Sequence, residues 1–199
     1  GVASFDLVAK GASRDVHSGN FGGVVPNPIW TLVHLLASMK YPDGNITVEG
    51  ICEPVIPATN LEQAAIAHLP DDESAVKADL GLEALDAPVD RPYWDRLMFH
   101  PTLTINGLHG GYGRPGSKTV LPNEAIAKCD VRSVEPLTPE YVFERIEAHV
   151  ARHAPGVEVV RHNGMLPSKT PLDSPFTAPL IAAIKAARGT DPLIYPSLG

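Results

Sequence analysis

The stretch AIAKCDVRSVEPLTPEYVFERIEAHVARHAPGVEVVRH, residues 125–162, decides the fold. Its opening alternates: Ala125, Ala127, Cys129 and Val131 fall on one face, which predicts a strand over 125–134. Thr138-Pro139 is a helix start, because a threonine hydroxyl can cap free backbone N–H groups and proline is preset for the first helical position. The helix runs to about His153 and aligns Val142, Ile146 and Val150 on one stripe. Val157 to His162 then reads as a short strand. A strand, a one-sided helix and a second strand bury their apolar faces together only as two layers.

The same logic extends towards the N-terminus. Phe5, Leu7 and Ala9 share a face of a strand over 5–10, and a glycine-rich loop follows from Gly11 to Gly23. Pro26 and Pro28 introduce a helix over 27–39, with Ile29, Leu32, Val33, Leu36 and Met39 inward and Trp30 and Leu35 outside that stripe. Asp43-Gly44 is a turn signal, and Ile46 to Ile51 alternates as a strand. Residues 53–100 carry short helical patches near 61–68, 73–80 and 91–99, separated by Pro, Asp and Gly, and read as a helical excursion from the sheet. Asp71-Asp72-Glu73 reads as a solvated helix start. Thr102 to Gly107 is a further strand. The expected class is α+β: a two-layer, ferredoxin-like sandwich with a mainly antiparallel four-stranded sheet and helices on one face.

The tail departs from this pattern. Gly164 to Pro175 is a Pro/Ser/Thr-rich crossing, a helix over 176–188 aligns Phe176, Leu180, Ile184 and Ala187, and Leu193 to Tyr195 reads as a strand. A lone helix and strand cannot bury both faces. Residues 1–164 therefore read as one domain and 165–199 as a piece of a second.

Composition narrows the function. Hydrophobic residues make up 44% of the 199, enough for a real core. A formal charge of −7 without a basic cluster argues against nucleic acid as a partner. No apolar run has the length of a transmembrane helix and no signal peptide opens the chain, so neither membrane nor export is expected. The first residues already read as strand, as if the natural N-terminus lay upstream. Cys52 and Cys129, without a CxxC pattern, read as two buried free thiols of a cytoplasmic protein.

Chemistry concentrates at few places. Arg14-Asp-Val-His-Ser-Gly-Asn-Phe-Gly-Gly23 is the most unusual loop. Its His17, Ser18 and Asp15 do not make a triad, since triads converge from distant segments. On its own terms His17 is a loop histidine bonded to its own backbone. His109 to Gly116 lacks the spacing of a phosphate loop and reads as a flexible turn. None of the eight histidines sits in an HExxH motif or a short cluster with carboxylates. Arg132 lies on the strand face opposite the small apolar residues, where a cross-strand salt bridge and a bidentate clamp for a substrate carboxylate fit equally well.

Three motifs, in order and spacing, resemble one family. The first is the loop from Arg14 to Gly23. The second is Leu103-Thr-Ile-Asn-Gly-Leu-His-Gly-Gly111, followed by Gly116-Ser-Lys-Thr-Val-Leu-Pro122. The third is Ala127-Lys-Cys-Asp-Val-Arg132. They look like the lid and dimerisation domain of M20 metallopeptidases, most closely the carnosinase-like dipeptidase branch, whose longer lids suit the excursion at 53–100. Pro196-Ser-Leu-Gly199 resembles the start of the returning catalytic segment. The resemblance implies a homodimer in which His17 crosses to the partner's active site and stabilises the tetrahedral intermediate. It implies that Arg132 holds the substrate's C-terminal carboxylate, with His162 and Thr119 also in the substrate pocket. It further implies a two-zinc (or other divalent-metal) catalytic domain, absent from this chain, so that the chain itself holds no metal and is inactive alone on dipeptides or N-acyl amino acids. An autonomous ferredoxin-like regulatory or interaction module is the competing reading, and a dimerisation domain with vestigial His17 and Arg132 is another.

Overall fold

The computed structural model describes residues 1–86 and 91–197. In chain order the elements are β1 (Val2–Lys10), β2 (Val16–His17), α1 (Ser18–Phe21), α2 (Pro28–Met39), α3 (Asn60–Ile66), α4 (Glu73–Leu80), α5 (Tyr93–Phe99), β3 (Thr102–Gly110), β4 (Val120–Leu121), β5 (Glu124–Arg132), α6 (Pro139–His153), β6 (Glu158–Met165) and α7 (Thr177–Arg188). The four long strands form one antiparallel sheet in the order β3-β5-β1-β6, with α2 following the first strand and α6 following the third. This is the split βαββαβ arrangement expected from the sequence.

Alternation decides what the sheet buries. Ala3, Phe5, Leu7 and Ala9 of β1 lie beside Ala125, Ala127, Cys129 and Val131 of β5, in a register that pairs Phe5 with Cys129 and Leu7 with Ala127. Helices α2 and α6 cover this face, adding Leu32, Leu35, Met39, Val142, Ile146 and Val150. Both helices start as their sequences dictate. Asn27 accepts the Ile29 N–H at 2.9 Å and Thr138 accepts the Tyr141 N–H at 3.2 Å, each followed by proline. Gly110 lets α2 lie on the end of β3, because a Cβ there would stand 3.1 Å from both the Ile29 and Ala125 side chains.

Four expectations are corrected. Residues 46–51 are not a strand: Ile46 forms only an isolated bridge with Lys40. Gly50, at φ 80°, turns the chain, and Val48 and Ile51 plug the core where α2 ends. The stripe of α2 is rotated, so Leu35 is buried while Val33 joins Trp30 at the surface. Residues 193–195 pair with no strand among the described residues; Tyr195 instead meets Trp94 edge-on at 5.3 Å. Cys52 is exposed, and only Cys129 is buried.

The excursion is helical as expected, and it is tied back to the crossing that follows the sheet. Thr59 and Glu62 form a reciprocal capping box at the start of α3. The carboxylate of Glu62, 4% exposed, also takes the Lys169 ammonium at 2.6 Å. That ammonium stands 5.3 Å from the Phe99 ring centroid. By contrast α7 buries no side chain: Leu180 and the preceding Phe176 are 61% and 79% exposed. No helix among the described residues is long and apolar enough to cross a membrane.

Candidate functional site

The glycine-rich loop contains structure that its composition hides. Val16 and His17 pair with Leu121 and Val120, making a two-stranded ribbon beside the main sheet. Further bonds hold the ribbon. Ser18 N–H donates to Thr119 O at 3.1 Å, Asn123 N–H to the Asp15 carboxylate at 3.0 Å, and Gly11 N–H to Asn123 O at 2.7 Å. Asp15 thus serves the backbone of the opposite loop.

This frame holds His17 from both sides. Its Nδ1 accepts the Gly19 N–H at 2.9 Å, and its Nε2 lies 2.9 Å from Thr119 Oγ1. An Nδ1 that accepts carries no proton, so the neutral ring has its proton on Nε2, directed at the threonine hydroxyl. Gly19 is required for this: a Cβ there would stand 2.7 Å from His17 Cε1. Both side chains are exposed. The sequence reading of a histidine bonded to its own loop holds for one nitrogen; the other engages a residue 102 positions away.

Arg132 and His162 lie on the sheet face away from α2 and α6, apart from the ribbon pair. There Asp6 takes the Lys128 ammonium at 3.1 Å and His162 Nε2 at 3.1 Å. Burial would raise the Asp6 carboxyl, but the hydrogen bonds and charges of His162 and Lys128 outweigh it and hold the group below its ordinary value. Asp130 takes the Asn106 amide at 2.8 Å and stands 3.8 Å from Arg132 Nε. Arg132 therefore meets a carboxylate two residues away on its own strand. Its side chain is 64% exposed, which leaves most of the guanidinium fork open. Among the described residues, no three His, Cys, Asp or Glu side chains converge as metal ligands.

The sequence did not reveal Asp15 as a loop tie, the β2–β4 pairing or the buried His149. His149 Nε2 lies 2.9 Å from Ser38 Oγ, and its ring stacks on His153 at 4.1 Å, pinning α6 to α2. Its signal was available in helical spacing, three residues beyond Ile146.

Comparison with known proteins gives this geometry a context. Residues 1–158 match the peptidase dimerisation domain model of the M20 family. The chain is 31% identical over 202 residues to the human Beta-Ala-His dipeptidase, covering 96% of this chain and 39% of that protein. It is 30% identical over 152 residues to the Cys-Gly metallodipeptidase of Schizosaccharomyces pombe, covering 76% of this chain and 32% of that one. Among solved structures, an M20 family metallo-carboxypeptidase from Sulfolobus solfataricus superposes with a TM-score of 0.90 at 28% identity, over 100% of this chain and 45% of that one. The chain thus spans less than half the length of each of these relatives. Domain match, relatives and neighbouring fold agree, and the chain belongs to the M20 peptidase dimerisation domain family.

Proposed function

We propose that this chain is the dimerising, substrate-capping part of a metal-dependent dipeptidase or aminoacyl amidohydrolase. The observation that carries the reading is the His17–Thr119 pair. Two exposed polar side chains, distant in sequence, are held 2.9 Å apart on a hydrogen-bonded ribbon, with a glycine spared so that the imidazole can turn. The Nε2–H, directed at Thr119 in this chain, is the donor that would turn to an oxyanion forming on a neighbouring molecule. In a homodimer that neighbour is the partner's active site. Arg132, its fork largely open, is the counterpart for a substrate carboxylate, and His162 lies on the same sheet face.

The relatives named as dipeptidases make dipeptides the leading substrates, with N-acyl amino acids next. Zinc or another divalent metal would be held by residues outside this chain, where such ions supply an activated water and a polarised carbonyl. This chain alone is therefore expected to hydrolyse nothing. Residues 1–164 form the lid, and the exposed stripe of α7 within 165–199 is the face a catalytic domain would cover. Two free thiols suit a cytoplasmic setting.

The self-association surface follows from exposure. β3 is an edge strand with Ile105 and Leu108 about half exposed, and α2, which rests on the end of β3, offers Trp30 and Val33. An unpaired edge beside an apolar helix is a template for two-fold pairing. Sedimentation equilibrium of this chain at micromolar concentration is expected to give a dimer that Trp30→Glu dissociates. A strict monomer would reject the interface.

A further inference from the structure

A cavity of about 480 Å³ opens between the excursion, the segment after α2 and the first residues of β3. Its size falls within the range of small-molecule sites, and its walls have their composition: mostly apolar, with a few charged groups. Tyr93, Leu97 and Leu103 supply apolar surface; Lys40, Arg91 and Arg96 supply charge. Asp86 is the one carboxylate lining the cavity among the described residues. In a chain of net charge −7, three cations facing one carboxylate is a local reversal.

The cations are unevenly used. Lys40 Nζ bonds Asp86 at 3.1 Å. Arg96 spends Nη1 on the Asp86 carbonyl and places Nη2 3.5 Å from Glu73, while its Nε is buried with no hydrogen-bond partner. Arg91 makes no ion pair with any described residue. His100 is engaged by Asp95 at 2.9 Å, which leaves the Arg91 guanidinium as the anion donor. None of His17, Thr119, Arg132 and His162 lines the cavity.

We infer that this cavity binds a small monocarboxylate with a short apolar body, its carboxylate on Arg91 and its chain against Tyr93, Leu97 and Leu103. A planar carboxylate matches the guanidinium fork, and a single negative charge suits a wall in which Asp86 already offsets one cation. The site does not depend on the reading of His17 or on any catalytic role.

Cys52 supplies a local reporter. It lines the cavity and is exposed, whereas Cys129 is buried, its thiol pushed up to about 12 by burial and by the charges of Asp6 and Asp130. A thiol reagent therefore reports on Cys52 alone. The experiment follows alkylation of Cys52 in the 199-residue chain with increasing hexanoate, and with hexanol and hexylammonium at matched concentrations. Protection is read as the ratio of rates with and without ligand, so that a changed baseline does not matter. Hexanoate is expected to protect saturably, hexylammonium not at all, and Arg91→Gln to weaken the hexanoate constant about tenfold. Arg91→Gln removes no ion pair among the described residues and is expected to preserve the fold, which circular dichroism checks. Absence of protection by hexanoate overturns the proposal. Equal protection by hexanol or hexylammonium, or a hexanoate constant unmoved by Arg91→Gln, overturns it as well.

Discussion

The sheet core and the His17 ribbon are joined through the loops that follow β1 and precede β5, yet they are held by opposite means. In the core, Phe5, Leu7, Ile146 and Val131 are fully buried and contribute by exclusion from water. In the ribbon, His17 and Thr119 are exposed and fixed by directed bonds from Gly19 N–H and from each other. The core sets the shape of the molecule. The ribbon sets the position of a single proton donor. Perturbation of the two regions should therefore separate stability from function.

The largest expected effect lies in the core. Phe5→Ala removes a fully buried ring where β1, β5 and the helices meet, at a cost of about 3–5 kcal/mol in denaturant unfolding. On the same chain His17→Ala should cost only about 0.5–1 kcal/mol, since it removes the exposed bonds to Gly19 N–H and Thr119. A loss at His17 comparable to that at Phe5 would make the ribbon a structural element and collapse the distinction.

In the full-length protein the order reverses. His17→Ala is expected to lower kcat about 100- to 1,000-fold, the usual effect of losing one oxyanion donor. Arg132→Ala should chiefly raise KM, because on the proposed role it would grip a carboxylate present in both ground and transition states. Steady-state kinetics with one dipeptide distinguishes the two patterns.

The contrast also explains what could be read in advance. The strands at Phe5–Ala9 and Ala125–Val131 and the helix from Thr138 to His153 declare themselves by period and caps, because burial acts on every second or every third to fourth residue. Residues 46–51 carry the same alternation but no neighbouring strand, and Gly50 turns them into a plug. Val33 and Leu35 were exchanged because the stripe of α2 could be drawn at two rotations, and only packing on β1 and β5 selects one. The motifs containing His17 and Thr119 both stood out, but the contact between them did not. Thr119 reaches His17 through a ribbon of two-residue strands, too short for any periodic signal. Leu198 and Gly199 of the last motif lie outside the described residues.

A smaller effect tests the polar link between α2 and α6. Burial, then the charges of His153 and Arg152, lower His149 to about 4 from an ordinary 6.5. Between those values the unfolded chain binds the proton and the folded chain does not, so stability rises with pH there and is lost as pH falls from 6.5 towards 4. The loss attributable to His149 should approach about 3 kcal/mol in thermal or denaturant unfolding once the pH is below 4. His149→Leu should flatten that part of the profile. An unchanged slope would mean that other groups carry it.

Mixed subunits decide whether the ribbon acts across a dimer. One full-length chain carries His17→Ala, the other is inactivated in its catalytic domain, and each homodimer alone is nearly dead. The mixed dimer is predicted to recover one working site, because the intact His17 of one subunit serves the intact catalytic domain of the other. A mixed dimer as inactive as both homodimers would contradict the account, placing His17 within its own subunit's site or outside the reaction altogether.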